Sequence, residues 1–158
     1  MTDKQKSYSA TATITKAGLL AGTLDILCAF AQFYIRTGKN PPAVLKFIAS
    51  GVFGKAALAG GTEMALLGLL FHFIIAFTWT IIFFYFYPQI SHVSKSKIIA
   101  GLLYGVFIYM VMTRIVLPLS NTPTIPFNAW QAVIGIVILM FAVGLPISFQ
   151  ISKHYSTK

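Results

Sequence analysis

Residues 64–87 read MALLGLLFHFIIAFTWTIIFFYFY. His72 is the one side chain in this run that titrates near neutral pH. A helix of this length rises about 36 Å at 1.5 Å per residue, so it can cross ~30 Å of hydrocarbon with some tilt. Tyr85 and Tyr87 close the run in the manner of an interfacial aromatic belt. Residues 17–35, 98–118 and 130–149 have the same apolar character, and Trp130 opens the last of them. Pro146 is expected to kink that span or to end its regular part, freeing the carbonyl of Ala142.

The composition agrees with that reading. Of 158 residues 57% are hydrophobic and 9% charged, and mean hydropathy is +0.80, whereas soluble domains carry about 25% charged residues. The fold class is therefore all-α, an integral membrane four-helix bundle. Residues 1–15 form a polar N-terminal tail, 16–152 a single transmembrane domain, and 153–158 a C-terminal tail. The first helix follows a polar stretch and carries Asp25, so it is expected to be retained rather than cleaved as a signal peptide.

Residues 36–62 break the pattern. Asn40-Pro41-Pro42 interrupts the chain, and 42–59 is helix-like with Val44, Leu45, Ile48 and Val52 on one side. Lys46 and Lys55 fall on opposite sides of such a helix, and Gly51, Gly54, Gly60 and Gly61 lower its propensity. An interfacial or re-entrant helical segment packed on the bundle is expected, with a fifth span as the alternative.

Twelve Lys and Arg face three acids, Asp3, Asp25 and Glu63. The basic residues punctuate apolar segments and form no dense stripe. They act as interfacial anchors and contacts to anionic lipid, and no nucleic-acid partner is implied. Lys4, Lys6, Lys16, Lys95, Lys97, Lys153 and Lys158 share one side if both termini are cytoplasmic. The 119–129 loop, free of charge, then lies outside, although Arg36, Lys39, Lys46 and Lys55 lie there too. Cys28 is the single cysteine, which excludes an intrachain disulfide.

Ionisable groups at membrane depth are costly, ~2.5–3.5 kcal/mol on insertion scales, and mark where to look for function. Gly18, Gly22, Asp25, Ala29 and Gln32 recur at steps of four and three, which places them on one face of the first span. Small residues there let helices approach, while Asp25 and Gln32 can hydrogen-bond across the contact. The face reads either as a structural seam or as the lining of a proton or ion path. In the second span Gly68, His72, Ala76 and Trp79 share a face in the same way. Counting residues puts Asp25 near the midplane, His72 roughly 5 Å outward and Arg114 roughly 9 Å outward. Asp25 can then meet His72 if the first two spans are neighbours. Arg114 can reach His72 or Glu63, or snorkel to the interface.

Ala17–Gly22 is echoed by Ala100–Gly105 at the start of the third span, and Gly101 and Gly105 are further helix-packing positions. The Pro-rich loop from Pro118 to Asn128 can cap a cavity mouth or serve as a rigid turn. Nucleophile elbow, phosphate loop and His-Glu-x-x-His motifs are missing from the sequence, so no catalytic residue, cofactor or metal is expected. A haem or metal at His72 would lack a second ligand, since His92 and His154 belong to the opposite side.

Gly68-x-x-x-His72 in a span, Pro88 closing it, the Gly101-x-x-x-Gly105 span and the Pro118–Pro126 segment resemble the bacterial YagU-like inner-membrane family over about 65–149. The resemblance implies a bacterial inner-membrane protein with a link to acid survival, and with His72 in a pH response. It does not extend to 36–62. The expected function is therefore support of pH or ion homeostasis through Asp25 and His72. The alternatives are a non-catalytic interaction or assembly subunit of a membrane complex, and a lipid- or quinone-binding protein. The lipid bilayer is the expected partner, with a homo-oligomer or another membrane protein beside it.

Overall fold

The computed structural model describes residues 9–124 and 126–156, and of Val93 the backbone alone. The tail positions 1–8 and 157–158 lie outside the described residues. Four helices are long and apolar enough to cross a membrane: α1 (Ala10–Thr37), α4 (Thr62–Val93), α5 (Lys97–Leu119) and α6 (Ala129–Ser156). Two short helices, α2 (Pro42–Phe53) and α3 (Lys55–Ala59), join α1 to α4. No strand occurs among the described residues.

The distribution of side chains is that of a membrane bundle. On α4, Leu66, Leu70 and Ile74 recur every fourth residue and are 63%, 54% and 52% exposed. The opposite face buries Gly68, His72, Ala76 and Thr80. Large apolar residues outside and small or polar ones inside would leave a soluble protein with a large sticky surface. In lipid the same arrangement costs nothing, and close packing plus interhelical hydrogen bonds holds the helices. The chain reads as a multi-pass membrane protein.

Successive long helices run antiparallel. α1 lies between α4 and α6, α6 packs along the length of α5, and α2 lies along α4. The main core joins Ala21 to Phe83, Phe84, Tyr104, Ile108, Val143, Ile147 and Ile151. All five glycines expected at helix contacts are used within the chain. A Cβ at Gly18 would meet the Phe77 ring at 2.7 Å, and one at Gly22 would meet Phe73 at 2.9 Å. Gly68 abuts the backbone of Leu45, Gly101 that of Gly144, and Gly105 that of Met140.

The helices depart from their expected bounds at three places. α1 begins at Ala10, inside the stretch expected to be a polar tail, because Thr13 is buried there within 3.3 Å of His154 Nδ1. Pro88 does not close α4, which continues to Val93. A proline removes the N–H that the carbonyl four residues earlier would accept. That carbonyl, on Phe84, accepts instead from the Tyr155 hydroxyl at 3.0 Å. Pro146 follows a break in the regular α-helix of α6, as expected, although the helix as a whole runs on to Ser156. A π-helical turn over Leu139–Gly144 comes just before the proline, and Met112–Val116 makes the same turn just before Pro118 in α5. The wider turn makes room where the proline ring would otherwise press on the preceding turn. The two sites share a pattern, Leu117-Pro118-Leu119-Ser120 and Leu145-Pro146-Ile147-Ser148.

The segment between α1 and α4 is helical but too short to span. α1 stops at Gly38, whose φ of 63° closes the last turn with a bond from its N–H to the Tyr34 carbonyl at 2.8 Å. Pro42 then starts α2, whose 12 residues rise about 18 Å. Leu45, Ala49 and Ser50 are its buried side. The break at Gly54, with φ 61°, separates α3. This is the packed helical segment expected of 42–59; the fifth span is not formed.

Candidate functional site

Small residues bring α1 and α4 together, and that approach builds the site. With no side chain at Gly22, the two helices close until His72 Nε2 lies 2.8 Å from the Gly22 carbonyl oxygen. A carbonyl only accepts, so Nε2 carries the hydrogen and donates it. The tautomer is thereby set, and Nδ1 is the ring nitrogen left to gain or lose a proton. Asp25 follows Gly22 by three residues on the same face of α1.

Asp25 and His72 line a cavity of about 290 Å³ between α1, α2, α4, α5 and α6. Ala29 and Gln32 continue the α1 wall; Trp79, Ile108 and Leu139 are among the apolar residues facing them. The polar face of the first span therefore lines a space as well as a seam. No donor among the described residues hydrogen-bonds the Asp25 carboxylate.

At the 120–128 loop end, the cavity meets a second and larger space. This vestibule has a volume of about 860 Å³ and is lined by Arg36, Arg114, Thr113, Asn128, Gln131 and the proline-bearing loop. Tyr109 borders both spaces. Between them Gln32 Nε2 donates to Gln131 Oε1 at 3.0 Å, a polar bridge from α1 to the start of α6. The loop is tied down onto α2, where Asn121 N–H donates to the Gly51 carbonyl and its amide to the Val52 carbonyl, both at 3.0 Å. The loop lines the vestibule and is also pinned as a turn by these bonds, so both expected roles fit it.

No family model, curated protein or solved structure matches this chain.

Asp25, Gln32 and His72 line one cavity, the first two on the face of α1 that their spacing implied, whereas Arg114 does not line it. It lies on the far side of the Gln32–Gln131 bridge, exposed, on the π turn of α5. Arg36 also lines that vestibule, and neither Asp25 nor His72 does. Glu63 is likewise elsewhere, its carboxylate accepting from the Gly61 N–H at 2.7 Å at the start of α4. Among the described residues no three His, Cys, Asp or Glu side chains group to hold a metal ion.

Arg36, Tyr109 and Gln131 are members that motif reading passes over. Arg36 follows Gln32 by four residues, and extending the α1 stripe by one step would have found it. Gln131 gives no such signal, because its partner lies 99 residues away. His154 is a second buried histidine, packed against the Phe84 ring with centroids 5.2 Å apart at the opposite end of the bundle.

Proposed function

We propose that this chain is a non-enzymatic protein of the bacterial inner membrane that exchanges protons in its interior and so supports pH or ion homeostasis. The observation that carries the reading is the cavity that Asp25 and His72 share, with Nδ1 of His72 as its proton-accepting atom. A proton passing between Nδ1 and the carboxylate leaves the net charge of the cavity unchanged. That favours exchange at a depth where net charge is costly. The Gln32–Gln131 bridge and Tyr109 stand between this pair and the vestibule, so a proton from that end passes polar groups before it meets Asp25. The likeness of 65–149 to the YagU-like family, with its link to acid survival, points the same way. Seven lysines at the end of the termini, Lys4, Lys6, Lys16, Lys95, Lys97, Lys153 and Lys158, against five basic residues at the other, Arg36, Lys39, Lys46, Lys55 and Arg114, favour cytoplasmic termini.

The test uses the full chain in proteoliposomes with a trapped pH dye. An acid pulse is expected to acidify the lumen faster than in empty vesicles, and Asp25→Asn to slow that uptake by roughly tenfold or more, the scale on which a positioned proton-transfer group acts. Equal uptake by wild type and Asp25→Asn discards the reading.

A further inference from the structure

The vestibule has a chemistry of its own. Its ionisable lining consists of Arg36, Arg114 and the phenol of Tyr109, and no carboxylate is among the described residues that line it. The neutral amides there are already committed in one direction. Asn128 Oδ1 accepts from the Gln131 backbone N–H at 3.0 Å, and Gln131 Oε1 accepts from Gln32. Each amide therefore has its NH2 group left to donate. Two guanidinium forks and two amide donors face a space whose remaining walls include Phe47, Leu117 and Phe127. Donors and positive charge without an acid favour an oxyanion, and guanidinium forks match the paired oxygens of a phosphate or carboxylate. The volume falls within the ~300–1,000 Å³ of small-molecule pockets.

We propose that the vestibule between the ends of α1 and α5 and the 120–128 loop is a binding site for an oxyanion, a phosphate or carboxylate group, held by Arg36 and Arg114 with Asn128 and Gln131 as flanking donors. The oxyanion comes either from the headgroup of an anionic lipid or from a free ion. The aromatic and aliphatic walls suit the former. The proposal stands apart from the proton reading, since it uses neither Asp25 nor His72.

Isothermal titration of the detergent-solubilised full chain tests it, with three probes: dioleoylphosphatidylglycerol, dioleoylphosphatidylcholine and inorganic phosphate. Arg36→Gln and Arg114→Gln change exposed side chains. Lys55→Gln, an exposed cation outside the vestibule, controls for general charge. Saturable binding of the phosphatidylglycerol over the phosphatidylcholine, weakened roughly tenfold by each arginine change and not by Lys55→Gln, supports the site with a lipid source. The same dependence for inorganic phosphate supports it with a free ion as source. The proposal is overturned if neither anionic probe binds, if the arginine changes leave binding intact, or if Lys55→Gln weakens it equally.

Discussion

Gly144→Val is expected to abolish recovery of the folded bundle. A Cβ at Gly144 would press deep into the Gly101 carbonyl oxygen and stand 3.0 Å from the Gly105 nitrogen. Both obstacles are backbone, so no rotamer change can make room, and α5 and α6 have to part along their longest contact. Parting them also strains the bond from Ser148 Oγ to the Lys97 carbonyl at 2.6 Å. Overpacking a filled core costs about 1–3 kcal/mol, and a clash with rigid backbone lies at or above the top of that range. Gly51→Ala is the matched control. Its Cβ would find Thr122 Oγ1 at 3.5 Å, an ordinary contact, and alanine favours the helix. Monodisperse yield and melting temperature in detergent are expected to collapse for Gly144→Val and to hold or rise for Gly51→Ala. A Gly144→Val protein that melts like wild type would contradict the packing described here.

His72→Gln is expected to separate the anchor from the proton. A glutamine amide can place an N–H where Nε2–H now donates to the Gly22 carbonyl, but it offers no nitrogen that takes up a proton near neutral pH. The variant should fold with wild-type yield and lose the acid-driven uptake by roughly tenfold or more. His72→Phe removes the anchor as well. It should share the loss of uptake and melt earlier by the worth of one buried hydrogen bond, about 1 kcal/mol. Undiminished uptake by His72→Gln would remove His72 from the proton reading and leave it as a tie between helices.

The fold was legible because lipid imposes two simple demands, length and apolarity, and four segments of this chain meet both. The ends of the helices were harder to read. A rule that prolines stop helices misplaces the boundary at Pro88, because what keeps that helix going is not local. The Tyr155 hydroxyl on the Phe84 carbonyl comes from 71 residues away. The polar face of α1 was legible for a related reason: period and residue size alone place Gly22, Asp25 and Gln32 on one side. What filled the other side was hidden. The bond between Gln32 and Gln131, the presence of Arg36 and Arg114 around one vestibule, and the absence of Arg114 from the Asp25 cavity all depend on how α1, α5 and α6 are arranged. Counting residues gave the depth of Arg114 but not its direction around the helix, and the π turn over Met112–Val116 shifts that direction further.

Protonation of Asp25 itself is the most direct test. Infrared difference spectra of the full chain in lipid, recorded across a pH step, report a protonated carboxyl through its C=O stretch. The wild type is expected to show a pH-dependent carboxyl band that vanishes in Asp25→Asn and changes its pH dependence in His72→Gln. A wild-type band unchanged by Asp25→Asn would contradict the claim that Asp25 and His72 exchange a proton in their shared cavity.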